Sequence, residues 1–84
     1  MGYPCQRDHN PVLDEVGQEL AAARSEHAPM NGPHEGYAVI LEELDELWDE
    51  VKGRNTNRRL RMRQEALQVA AMAVRFIEDV CDKP

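Results

Sequence analysis

The chain has 84 residues, with 16 acids against 10 Lys and Arg and a net charge of −6. Hydrophobic content of 42% and charged content of 31% fit one small helical domain rather than a disordered chain. The acidic balance argues against a broad nucleic-acid footprint, which needs clustered Lys and Arg. Two cysteines, Cys5 and Cys81, without a CxxC pair argue against a zinc ribbon or disulfide scaffold.

Residues 1–9 are mixed and polar and read as a flexible tail before a single domain over 10–84. They lack the apolar stretch of a signal peptide, and no run approaches a membrane span. The expectation is a cytoplasmic protein with reduced thiols, Cys5 in the tail and Cys81 as a small core residue. Asn10-Pro11 reads as a helix start, with Asn10 as cap and Pro11 in the first turn. Val12, Leu13, Val16, Leu20 and Ala23 follow at helical spacing, fading near His27. "APMNGPH" is then a loop. A second helix is expected from Pro33, with His34 a first-turn surface residue, to about Lys52. Its apolar residues Tyr37, Ile40, Leu41, Leu44, Leu47, Trp48 and Val51 fit an amphipathic pattern. "GRNTN" reads as a turn, with Thr56 or Asn57 capping a third helix from about Arg58 to Val80.

The third helix opens with Arg58, Arg59, Arg61 and Arg63 and becomes apolar from Ala66 to Ile77. Leu67, Ala70, Val74, Ile77 and Cys81 form one stripe, while Val69, Met72 and Phe76 lie on another side. A helix apolar on two sides needs cover on two sides, from the other helices or from a second subunit. A chain this short forms a marginal core alone. The fold class expected is therefore all-α: about three antiparallel helices, with the core completed by oligomerisation.

Six of the nine residues from Glu42 to Glu50 are acids. On a helical wheel they separate into two groups. Glu42, Asp45 and Asp49 lie opposite the core and read as a solvated face. Glu43, Glu46 and Glu50 line the flank of the apolar stripe. Like-charged i, i+4 pairs such as Glu46/Glu50 each cost about 0.2–0.5 kcal/mol. Lys52 and Arg54 offset part of that, and a divalent cation held by Glu43 and Glu46 offsets more. On the third helix Glu65 and Gln68 repeat the angular relation of Glu43 and Glu46. Two antiparallel helices thus each present a pair of oxygen-bearing side chains to one cleft, with Asp79 on the same line further along. The blander reading pairs Glu65 with Arg61, treats the arginines as surface charge, and puts Trp48 and Phe76 in the core.

"EELDEL" at 42–47, a basic turn, and "EALQVAAMA" at 65–73 resemble the MazG-like, all-α nucleoside triphosphate pyrophosphohydrolases, relatives of the dimeric dUTP pyrophosphatases. That family carries an ExxE motif and a later ExxD motif on adjacent helices. Glu43 and Glu46 match the first, Glu65 begins the second, and Gln68 stands where the family has Asp. The resemblance spans about residues 34–80. It implies a four-helix-bundle type of homodimer or homotetramer that cleaves nucleoside triphosphates to monophosphate and pyrophosphate. It implies Mg2+, with Mn2+ as a substitute, held by Glu43, Glu46, Glu65 and Gln68. It implies a water attacking the α-phosphorus, with Lys52, Arg54, Arg58 and Arg61 meeting phosphate charge. The base would sit in a pocket between helices. The rival readings are a noncatalytic assembly or nucleotide-binding module, favoured by Gln68, and a regulator that binds a protein through the Leu/Trp stripe.

Overall fold

A computed structural model describes residues 9–83. Three helices run through Pro11–Glu26 (α1), Pro33–Lys52 (α2) and Arg58–Phe76 (α3). A π-helical turn, Ile77–Cys81, continues α3. The all-α expectation holds, with no strand among the described residues. The described residues form three α-helices rather than the four of a four-helix bundle.

Each helix end has a local cause. Asn10 is extended, and its Oδ1 accepts the Val12 N–H at 2.9 Å, while Pro11 occupies the first turn where no donor is needed. At the start of α2, Pro33 follows Gly32, and Glu35 reaches back to accept the Asn31 N–H at 2.6 Å. At its end, the Arg58 guanidinium donates to the Val51 carbonyl, with Nε at 3.1 Å. A basic side chain from the next helix thus closes the last turn of α2. Asn57 is the residue before α3, but its side chain makes no capping bond.

α3 is the central element, packed against both α1 and α2. Val16, Leu67, Ala71 and Met72 are buried together, with Leu20, Ala23, Val39, Ile40, Ala70 and Val74 packed around them. The two helices that cover α3 on two sides belong to this same chain. α2 packs tightly on α3 at Gly36, where an added Cβ would lie 2.5 Å from Phe76 Cδ2. The ring leaves room for hydrogen only.

The far end of α3 departs from the expected stripe. Leu67 is buried, but the next buried positions are Ala71, Met72, Arg75 and Asp79. Ile77 is 51% exposed, and Cys81 is exposed rather than a core residue. The buried side is already set within the regular helix by Ala71, Met72 and Arg75, and at about 100° per residue Ile77 falls on the opposite side. A wider π turn then closes this end, with the Asp82 N–H donating to the Ile77 carbonyl at 2.8 Å. Trp48, also expected in the core, is 56% exposed, and Phe76 is half-buried. Cys5 lies outside the described residues.

Asp79 is the fixed point of this end. It is buried, accepts the Met30 N–H at 3.0 Å, and pairs with Arg24 of α1 at 3.1 Å. Those partners, the backbone N–H first, hold its carboxyl below the usual range. Arg24 also donates to Glu78 at 2.7 Å. The α1–α2 connection and α1 itself are thereby tied to the π turn. This structural tie is the role of Asp79; it is not a contributor to the acidic site.

Candidate metal centre

The first acid motif lies in the middle of α2, and α3 returns antiparallel beside it. Glu43 and Glu46 are one turn apart on α2, and Glu65 comes across from α3. One carboxylate oxygen from each of the three lies within 4.8 Å of the others. Glu43 and Glu65 are half-buried and Glu46 is exposed. The pairing expected from their wheel positions is therefore present in the fold.

The electrostatics of the group are unfavourable by themselves. Burial, followed by the charges of Glu46, Glu65 and Glu42, pushes the Glu43 carboxyl up. Burial, then Glu46 and Glu50, pushes Glu65 up as well, with Arg61 opposing. Glu65 Oε1 is a buried oxygen with no hydrogen-bond partner among the described residues. Arg61, the obvious partner four residues earlier, is turned to Glu50, with Nε–Oε1 at 2.9 Å. An orphaned oxygen beside two further carboxylates is a donor set that suits a hard divalent cation.

Gln68 is placed differently from the three acids. Its amide donates to Glu19 on α1, which also accepts from Gln64 at 3.3 Å. An aspartate at this position would set carboxylate against carboxylate, so the amide and Glu19 suit each other. Glu19 escaped the sequence reading because α1 carries no motif. Its only signal is the Glu15/Glu19 spacing, which matches the turn of α3 bearing Arg63, Gln64 and Gln68. Arg63 donates to Glu15 at 2.7 Å.

The four expected phosphate ligands gather at the other end of α2. Lys52, Arg54 and Arg58 line a shallow depression at the α2–α3 turn. Lys52 pairs with Asp49 at 3.5 Å and lies over the Trp48 ring at 5.9 Å. Arg58 is occupied in closing α2, and Arg61 in pairing with Glu50. Arg54 is the cation of this group with neither an ion pair nor a side-chain hydrogen bond among the described residues. Lys52 is six residues from Glu46, about 9 Å along the helix axis.

On the other side of the acids a cleft of about 440 Å3 opens between α1, the 27–32 connection, α2 and α3. Glu43 and Gln68 line its near end, and Glu19 its α1 wall. The acids thus stand between a roomy cleft and a cationic turn. No family model, curated protein or solved structure matches the chain.

Proposed function

We propose that the protein is a Mg2+-dependent nucleotide pyrophosphohydrolase, releasing pyrophosphate from nucleoside triphosphates. The observation that carries this reading is the convergence of Glu43, Glu46 and Glu65 around the unpartnered Glu65 oxygen. Those three carboxylates would hold the ion, with Mn2+ a workable substitute. When bound, such an ion neutralises phosphate charge and lowers the pKa of water. Glu46, the exposed member, stands where an incoming triphosphate arrives first. Glu43 and Glu65, half-buried and reluctant to ionise together, form the inner wall that the cation relieves. Arg54 is free to meet the outer phosphates, and Lys52 needs only to leave an exposed ion pair with Asp49. The cleft lined by Glu43 and Gln68 receives the nucleoside.

The second reading is a noncatalytic nucleotide-binding or assembly module. It is favoured by Gln68, whose amide serves Glu19 and adds no charge to the acids. Pyrophosphate release from a panel of NTPs and dNTPs, with Mg2+ and then Mn2+, separates the two. Turnover that disappears in Glu46→Gln supports the enzyme. Absence of release with every nucleotide at high protein concentration rejects it.

The reading includes self-association as a homodimer or homotetramer. Tyr37, Leu41, Leu44 and Trp48 form a 4-3-4 seam on α2, turned about 100° away from α3. The three helices of one subunit leave that seam uncovered. An acidic chain with this seam suits a second copy of itself better than a nucleic acid or a membrane. No helix among the described residues is long and apolar enough to cross a membrane.

A further inference from the structure

The cleft beside the carboxylates has a second end. Along α3 its wall passes from Gln68 through Met72 to Arg75, and along α2 it passes from Glu43 through Val39 to Glu35. Seven residues of helix place Arg75 about 10 Å beyond Gln68. The cleft volume of about 440 Å3 lies in the range of small-molecule sites.

Arg75 is 4% exposed and has no carboxylate in ion-pair range among the described residues. One N–H goes to the Ala28 carbonyl at 3.0 Å, and another to the Met72 sulfur, a weak acceptor, at 3.3 Å. Its Nε–H is buried without an acceptor. A guanidinium this deep, with most of its five donors unused, is expensive to leave unmatched. Its surroundings supply apolar walls, chiefly Ala23, Met30, Val39 and Met72. The thioethers of the two methionines adapt to a flat ring.

We propose that Arg75 sets base specificity in this cleft, by donating to the ring carbonyls of uracil, thymine, cytosine or guanine in preference to adenine. The proposal rests on the nucleotide reading above and names the substrate class it left open. Arg75 donates and never accepts, so the group in front of it must offer acceptors. Ring carbonyls do so. A carbonyl oxygen has two lone pairs and can accept both arms of the fork, whereas adenine has no carbonyl and sets its amino donor beside both N1 and N7. The acidic rim does not oppose this ligand, because the base is uncharged.

The test uses nucleosides without phosphate or metal, followed by 1H–15N NMR of the whole chain. Uridine and cytidine should shift the Arg75 Nε–H resonance and the amides of Ala28 and Asn31. They should bind about 10-fold more tightly than adenosine. Arg75→Lys keeps the charge and loses the fork, and should bring the three nucleosides to similar affinity. If that variant does not fold, the wild-type preference and the movement of the Arg75 resonance decide alone. Adenosine binding as tightly as uridine and cytidine, or no shift in the cleft at millimolar nucleoside, overturns the proposal. Binding with the stated preference but without pyrophosphate release overturns only the catalytic reading. Pyrophosphate release without carbonyl preference overturns only this one.

Discussion

Glu65 and Asp79 are half-buried and buried acids on the same continuous helix, and they titrate in opposite directions. Asp79 receives a backbone N–H and a guanidinium, so its folded pKa lies below its ordinary 3.8. Its contribution to stability is present above that value and is lost as pH falls through the depressed folded pKa. Asp79→Ala leaves the Met30 N–H and Arg24 without their acceptor. A loss of about 1–3 kcal/mol is expected, measured by urea denaturation near neutral pH. Glu43 and Glu65 behave oppositely, because their folded pKa values lie above the ordinary 4.5. The folded state then binds more protons than the unfolded one, so stability falls as pH rises from about 4.5 through the folded values. Glu65→Gln should therefore raise the Tm of the metal-free protein at pH 7 while abolishing turnover. Mg2+ should raise the Tm of the wild type above that window and fail to do so in Glu65→Gln. Equal Mg2+ stabilisation of both proteins would mean that the ion binds elsewhere.

At the scale of the elements, most of what positions the site is legible in the sequence. Asn10-Pro11, the Pro/Gly loop and the 53–57 turn mark the helix boundaries through local chemistry, which depends little on the rest of the chain. The approach of Glu43, Glu46 and Glu65 is legible for a similar reason. A short turn forces α2 and α3 antiparallel, and wheel angles then decide which acids share a side. Features that depend on tertiary contact were not legible. The other helices cover the side of α3 that carries Ala71, Met72 and Arg75, which leaves Ile77 and Cys81 outside the buried face, and nothing in "FIEDVC" announces the π turn that follows. Arg75, inside the apolar run "ALQVAAMAVRFI", was a signal that periodicity alone gives no reason to weigh. Gly36 is a third case. In sequence it is a glycine inside a helix, ordinarily unfavourable by about 1 kcal/mol relative to alanine. Here Gly36→Ala gains that propensity but drives a methyl group into Phe76. Net destabilisation is expected, with a lower Tm by circular dichroism. Phe76→Leu in the same chain should recover part of the loss.

For the whole molecule, the balance of covered and uncovered apolar surface is the deciding quantity. Among the described residues the buried hydrophobic side chains are Val16, Met30, Leu67, Ala71 and Met72, and none of the large ones is fully enclosed. The α2 seam is left uncovered by the other two helices, and Leu44 lies at its centre. Leu44 is 47% exposed in the single subunit, so its replacement removes little from that subunit's own core. Leu44→Lys also reduces the excess of acid on α2, which favours the isolated helix. A monomer should therefore tolerate the change with its Tm nearly unaltered. An oligomer built on the seam should lose it. Sedimentation should show the wild type as a dimer or tetramer and Leu44→Lys as a monomer. The wild-type Tm should rise with protein concentration, and the variant's should not. A wild type that sediments as a monomer at every concentration would place the uncovered seam outside self-association. The acids on α2 and α3 come from one subunit, so the variant also shows whether they are sufficient alone. Mg2+ stabilisation that survives in the monomer would confine the metal centre to a single chain.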